Sequence, residues 1–319
     1  GYKSMALIDM LFGIIMLISV ALLFAFTVNK GGGFAAITEK LSAINPKLTG
    51  VIGPGGFWNL FSLICLTSIA PFAMPQLVQK FYAIRDQRSV KIGMFASTFF
   101  ALIIGGIAYF IGSTTHVFFS IEKTPHLFNN GIPIYDKLMP ELLTSVIPNS
   151  LVVVVLILIL AASMSTLASL VLISSSSIAK DLYAGFINRN ASDKRLTMLM
   201  RIMSGVFIIL AVLLALVEFD VIVEILGISW GAIGSFFLGP FIWGLFCKKV
   251  NRLGAVSSAI FGLGTCLTLY FIGHSIPKGE VVAWYVTAPG AGTIGMFVSL
   301  LVNPIFSLFC CKGNCKVHG

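Results

Sequence analysis

The chain has 319 residues, 57% hydrophobic and only 10% charged, against about 25% charged in an average soluble domain. That leaves too little polar surface to cover a soluble core, which excludes an ordinary globular protein. The net charge of +9 is spread over short loops between apolar runs. This is how Lys and Arg are arranged for membrane topology, and it excludes the clustered basic face of a nucleic-acid binder.

Eight segments carry the roughly 20 predominantly apolar residues that a spanning helix needs: 6–28, 56–75, 92–118, 150–178, 197–217, 221–246, 254–272 and 287–309. None alternates as a membrane strand does, so the predicted fold class is an all-α membrane protein with about eight transmembrane helices. The first run is too long for a cleavable leader and lacks a small-residue cleavage site. Between the first two spans, Phe34, Ile37, Leu41 and Ile44 recur at helical spacing and predict a short surface helix. Leu138, Leu142 and Val146 predict another before the fourth span. A tight acidic turn, Glu218-Phe219-Asp220, joins the fifth and sixth spans. Trp58 and Trp284 sit where interfacial anchors are expected. Fifteen of the 21 Lys and Arg fall in one set of alternate loops, among them Lys180, Arg189, Lys194 and Arg195, so that side and both chain ends read as cytoplasmic. The Asn190-Ala191-Ser192 triplet lies on that side, where a glycosylation match is chance.

Polar residues inside apolar spans must find partners, and they mark where function is to be sought. Asp9 lies in the first turns of the first span, where it either faces a functional interior or reaches the interface. In the second span Pro71 and Pro75 interrupt Thr67-Ser68-Ile69-Ala70-Pro71-Phe72-Ala73-Met74-Pro75-Gln76. Each proline removes a backbone donor and disfavours helix just before it. The result is either a broken helix of the kind that lines transporter sites or a plain kink near the helix end. In the fourth span Ala162, Ser165, Thr166 and Ser169 share one face, at i, i+3, i+4 and i+7. Two or three hydroxyl oxygens and the Ala162 carbonyl are what a small hard cation such as Na⁺ takes. A small-residue packing face, its hydroxyls bonded back to their own helix, is the competing explanation. The sixth span holds Gly227-Ile228-Ser229-Trp230-Gly231-Ala232-Ile233-Gly234-Ser235, where Trp230 could stack on a substrate although close packing around the glycines accounts for most of the run. The six cysteines match neither a disulfide framework nor a standard zinc site; Cys310, Cys311 and Cys315 near the end read as an ordinary polar exit from the membrane, with acylation and metal binding as the alternatives. The four histidines show no ligand spacing and there is no Walker loop, so no enzyme and no built-in ATP drive is expected.

Ala161-Ala162-Ser163-Met164-Ser165-Thr166-Leu167, followed by Ser175-Ser176-Ser177 and Lys180-Asp181-Leu182-Tyr183, resembles the most distinctive segment of the sodium:solute symporter family. Pro75-Gln76-Leu77-Val78-Gln79-Lys80-Phe81-Tyr82-Ala83 looks like that family's exit from its broken helix. Gly1-Tyr2-Lys3-Ser4-Met5-Ala6-Leu7-Ile8-Asp9, and Gly239-Pro240 through Gly254-Ala255, are similar to two further stretches, so the resemblance covers nearly the whole chain. It implies a five-plus-five inverted-repeat core within about thirteen spans, the carboxyl end inside. The chain then reads as a single transmembrane domain and a fragment matching the last eight spans, with about five N-terminal helices beyond it. The second repeat would run over about 56–246, with accessory helices over about 254–309.

By the same resemblance, Ala162, Ser165 and Thr166 are the sodium ligands. Asp9 and Ser169 fit a second sodium found in some members, but Ala168 stands where those members have a hydroxyl. Thr67, Ser68, Pro71 and Trp230 are the substrate candidates. Proline transporters carry aromatics where this chain has Thr67 and Pro71, which argues against proline, and Asp136-Lys137-Leu138-Met139-Pro140 looks more like the pantothenate branch. The expectation is alternating-access symport of a small organic solute, an organic anion, amino acid or similar, with Na⁺ as coupling ion, in a bacterial cytoplasmic membrane. The competing expectations are an ion-independent facilitator or channel of the same fold, and a non-transporting sensor or fragment.

Overall fold

The structure is a computed structural model, and it describes residues 2–82, 84, 86–129, 131–217, 222–247, 250–277 and 282–310. The acidic turn Glu218-Phe219-Asp220 and the tail cysteines Cys311 and Cys315 lie outside the described residues. Among the described residues eleven α-helices follow in chain order: α1 (Tyr2–Gly31), α2 (Phe34–Ile44), α3 (Gly56–Ile69), α4 (Pro75–Phe81), α5 (Gln87–Phe118), α6 (Tyr135–Val146), α7 (Asn149–Ser176), α8 (Asp193–Val217), α9 (Ile222–Phe246), α10 (Arg252–His274) and α11 (Ala288–Cys310). Short 3₁₀ turns join several of them, and a π-helix over Ser177–Ile187 continues α7. Among the described residues eight helical stretches are long and apolar enough to cross a membrane, one for each predicted span. The fold is an all-α membrane protein. The chain gathers into two compact units, residues 1–49 with 85–219, and residues 50–84 with 220–319.

In the first unit α1, α5 and α7 pack through large apolar side chains gathered at one end. Leu23 of α1, Ile111 of α5, Leu142, Leu143 and Val146 of α6, and Val155 of α7 form one buried cluster there. The predicted surface helices are α2 and α6. In α6, Leu142 and Val146 are buried and Leu138 packs against them. In α2, Ile37 is fully buried and Leu41 nearly so, while Phe34 and Ile44 are 58% and 55% exposed. The stripe is thus half used: its middle meets the unit and its ends overhang. Gly32 and Gly33 turn the chain between α1 and α2 at φ of 89° and 99°, where a side chain would be strained. Two lysines then bind helix-end carbonyls, Lys40 Nζ donating to Gly31 O at 3.0 Å and Lys30 Nζ to Ser145 O. Residues 128–129 and 132–133 form a two-residue antiparallel pairing around Gly131.

At the opposite end of this unit, α5 starts behind Asp86, whose extended backbone ends the preceding loop and whose carboxylate accepts the Ser89 N–H at 2.7 Å. That bond, and next the Ser89 hydroxyl, hold the Asp86 carboxyl below its ordinary pKa.

The second unit packs by a different rule. Here α9, α10 and α11 meet through glycines and small polar residues. A Cβ added to Gly231 of α9 would lie 2.7 Å from the Cα of Gly292 in α11, so the two backbones touch. The same closeness recurs where Gly234 meets Met296, Gly239 meets Ser299 and Gly254 meets Asn303. Interhelical hydrogen bonds fill the seam: Ser235 Oγ to Gly292 O at 3.1 Å, Gly239 N–H to Ser299 Oγ at 3.2 Å, and Asn303 Nδ2 to Ser258 Oγ at 3.2 Å. Lipid tails are as apolar as Leu, so close approach and such bonds, rather than apolar burial, hold spanning helices together. α3 joins the seam through Thr293 Oγ1, which donates to Ser62 O at 3.0 Å, and through Trp58 stacked on Trp284 at 5.2 Å.

Three outcomes are expected. Gly292→Leu should destabilise the detergent-solubilised protein by at least about 2 kcal/mol in thermal unfolding, whereas Gly264→Leu, at a glycine with open space around it, should leave the midpoint within error. Asn303→Leu should cost about 1 kcal/mol, the scale of an interhelical polar contact in a bilayer. At Asp86 the folded carboxyl has the lower pKa, so the cap is complete above the ordinary carboxylate range and lost as pH falls through the lowered value. Hydrogen exchange at the Ser89 amide should therefore be slower than in Asp86→Ala at neutral pH, and that difference should vanish in acid.

Candidate functional site

The candidate residues divide between the two units. Asp9, Ala162, Ser165, Thr166 and Ser169 lie in the first, and Thr67, Ser68, Pro71 and Trp230 in the second.

α7 is an unbroken α-helix through residues 160–170. Its apolar side chains propagate the helix, and two of its hydroxyls bond back one turn: Ser163 Oγ donates to Ile159 O at 2.8 Å and Thr166 Oγ1 to Ala162 O at 3.1 Å. The Ala162 carbonyl therefore receives both the helical N–H one turn on and the Thr166 hydroxyl. Coordination of a cation through that carbonyl requires the hydroxyl proton to swing away. The Thr166 oxygen differs: donating its proton inward leaves its lone pairs facing out, and the side chain is exposed. Ala162 and Ser169 are half-buried, and the Ser165 side chain lies outside what the structure describes.

α1 packs against α7. The two run antiparallel, since the α1 C-terminus is tied by Lys30 to the end of α6 that leads into α7. Leu23 of α1 and Val155 of α7 belong to the same buried cluster. Asp9 lies fourteen residues before Leu23 and Ser169 fourteen after Val155, so both sit about 21 Å from that cluster at 1.5 Å per residue. Asp9 and Ser169 thus share a depth, with Thr166 about one turn nearer the cluster. Asp9 is half-buried.

In the second unit the prolines break the helix. α3 ends at Ile69, Ala70–Ala73 make a 3₁₀ turn, Met74 is extended at φ −73° and ψ 117°, and Pro75 opens α4. Pro71 and Pro75 offer no N–H, so the carbonyls of Thr67 and Pro71 lose their α-helical donors. Pro71 O is met instead by the Met74 N–H at 3.4 Å. The discontinuity is covered on one side, where Ala70, Ala73 and Met74 are buried with Leu66, Leu238 and Met296 and Trp230 packs against this cluster, while Phe72 is 62% exposed. Trp230 and the break are therefore neighbours. Thr67 and Ser68 are exposed and Pro71 half-buried. The Thr67 hydroxyl donates to Leu63 O at 2.8 Å, which orients its lone pairs outward as at Thr166. Among the described residues no group of three His, Cys, Asp or Glu could hold a metal ion.

Sequence reasoning missed the polar seam of α10 and α11. Its only trace was the spacing of Ser299, Asn303 and Ser307 at i, i+4 and i+8, together with Ser258 in the preceding span. It also missed the π-helix, for which the sequence holds no recognised signal.

Eight apolar helical stretches long enough to span a bilayer, one followed by a proline break and one with hydroxyls on a face, define a polytopic α-helical membrane protein. The chain belongs to the sodium:solute symporter family, whose model matches residues 1–262. It is 28% identical over 308 residues to the osmoregulated proline transporter OpuE of Bacillus subtilis, covering 92% of this chain and 59% of that protein. It is 26% identical over 277 residues to a sodium/pantothenate symporter of Haemophilus influenzae, covering 86% and 55%. It is 30% identical over 259 residues to a sodium/proline symporter of the same organism, covering 80% and 50%. The chain thus spans between half and three-fifths of the length of these relatives.

If the segment around the break is reached from water, Thr67→Cys and Ser68→Cys should react with a membrane-impermeant thiol reagent. The neighbouring Cys65, only 5% exposed, should not, and mass spectrometry of the labelled peptide distinguishes them.

Proposed function

We propose that this chain forms part of a sodium-coupled symporter for a small organic solute, working by alternating access. The supporting observation is the hydroxyl face of α7, with oxygen lone pairs turned outward at Thr166 and with Asp9 and Ser169 at a common depth, in a chain of the sodium:solute symporter family. Na⁺ takes Ser165 and Thr166 through their hydroxyls and Ala162 through its carbonyl once the Thr166 proton has turned away. Asp9 and Ser169 contribute to a second cation at the same depth. The solute lies along the broken span at Thr67, Ser68 and Pro71, with Trp230 as an apolar wall. Relatives named for proline and for pantothenate support an amino acid or an organic anion as the solute class.

Residues 56–246 make one structural repeat of the transporter core and 254–309 accessory helices, all in one transmembrane domain. The concentration of Lys and Arg in alternate loops supports a cytoplasmic carboxyl end, and the bacterial relatives support a bacterial cytoplasmic membrane. The reaction is transport rather than catalysis. Coupling is thermodynamic: bound sodium raises solute affinity and solute raises sodium affinity by the same factor.

Binding of radioactive sodium to the purified protein tests the site. Ser165→Ala and Thr166→Ala should each raise the half-saturating sodium concentration about tenfold, the cost of losing one oxygen bond to a charged partner. Sodium affinity unchanged in both variants would overturn the assignment. Uptake of labelled pantothenate and proline under imposed sodium gradients tests the coupling, and uptake indifferent to the gradient would indicate a facilitator.

A further inference from the structure

The π-helix at Ser177–Ile187 follows the hydroxyl face of α7 and takes no part in the sites proposed above. Such helices mostly occur as single turns, and this one runs for 11 residues. The 28 residues of α7 already extend about 42 Å at 1.5 Å per residue, more than the ~30 Å hydrocarbon core. The π segment therefore emerges at headgroup level. There it carries exposed Leu182, Phe186 and Ile187, at i, i+4 and i+5, which the wider turn places on one side. Lys180 is exposed on the same segment, and Arg189, Lys194, Arg195 and Arg201 follow on the loop and the first turns of α8, all exposed. α8 packs against the π segment, which keeps these residues together.

The acidic residues among them are Asp181 and Asp193. Asp181 accepts the Ser177 hydroxyl at 3.0 Å, and Arg189 Nε donates to Gly185 O at 3.4 Å. Among the described residues no ion pair joins any of the five cations to a carboxylate. Side by side, then, lie an apolar ridge and five cations against two carboxylates, at the level where lipid phosphates begin.

We propose that the Ser177–Ile187 π-helix and the basic turn after it form a binding surface for anionic phospholipid, with Leu182, Phe186 and Ile187 among the acyl chains and Lys180, Arg189, Lys194 and Arg195 on the headgroup phosphates. The surface commits to lipid rather than to a soluble anion because the apolar ridge has no use for a free phosphate, and because α7 delivers the segment to the bilayer surface. Each basic side chain at an anionic membrane surface contributes about fivefold to affinity, the ~1 kcal/mol expected there.

The purified chain reconstituted in phosphatidylcholine:phosphatidylglycerol vesicles provides the test. Spin-labelled phosphatidylglycerol and phosphatidylcholine are compared for their immobilised fractions. The expected result is a several-fold preference for phosphatidylglycerol that is lost in the Lys180→Gln/Arg189→Gln/Lys194→Gln/Arg195→Gln variant, reduced in Leu182→Ser/Phe186→Ser, and weakened at high salt. Lys47→Gln/Lys123→Gln, which removes exposed cations elsewhere in the same unit, should leave the preference unchanged. Circular dichroism of each reconstituted variant confirms that its helices persist. No preference in the unaltered chain, a preference that survives the fourfold change, or one abolished by inorganic phosphate in the bath would overturn the proposal. None of these outcomes bears on sodium binding at Ser165 and Thr166.

Discussion

Inside a bilayer no water is available to receive a backbone N–H or C=O, so every such group must find its partner within the protein. This constraint turns each apolar stretch of the chain into a continuous helix and makes any interruption costly. One spanning helix is nevertheless interrupted, between Ile69 and Pro75. Two prolines remove donors there, a 3₁₀ turn recovers part of the loss, and the remainder is shielded: Ala70, Ala73 and Met74 are nearly fully buried against α9 and α11. The break persists because α9 and α11 seal one side of it, leaving Phe72 exposed along with Thr67 and Ser68, one turn earlier.

The same solvent explains why the two units are built differently. Where helices run side by side within lipid, as α9, α10 and α11 do, apolar side chains gain little by meeting one another. Glycines that let backbones touch, and bonds such as Asn303 to Ser258, supply the cohesion instead. At the end of the first unit, where α2 and α6 cover the tips of α1 and α5, bulky Leu, Ile and Phe form a cluster like that of a water-soluble core. There large interlocking side chains, rather than backbones in contact, supply the packing.

In α7 the hydroxyls answer two demands at once. A serine or threonine in an apolar span must spend its proton, and the i−4 carbonyl is the nearest acceptor. Once the proton points inward, the oxygen keeps lone pairs facing outward, so the residue is satisfied without a cation and compatible with the proposed one. The packing explanation and the cation explanation for this face are therefore compatible. Thr166 bonds back to Ala162, as a packing residue would, and keeps the geometry a ligand needs. The cost falls on the Ala162 carbonyl, which already receives two protons.

Much was legible in the chain alone. The eight spans, the two surface helices and the proline break all follow from local rules: run length, a 3.6-residue period and the missing proline donor. The motif around Ser165 and Thr166 and its neighbours carried the family. What was not legible required partners distant in sequence. Periodicity showed that α2 has an apolar face, but only its seat decided that Ile37 and Leu41 are buried while Phe34 and Ile44 are not. Trp230 read as able to stack on a solute or to serve the packing around the glycines; only the structure shows that its packing partners are those of the break. Asn303 and Ser258 look like isolated polar residues in separate spans until α10 and α11 bring them to 3.2 Å across 45 residues of chain. The sequence by itself determined which segments cross the bilayer, because that depends on the solvent and on neighbours within one turn. Tertiary structure decided which faces are sealed and which stay open, because that depends on which helices meet.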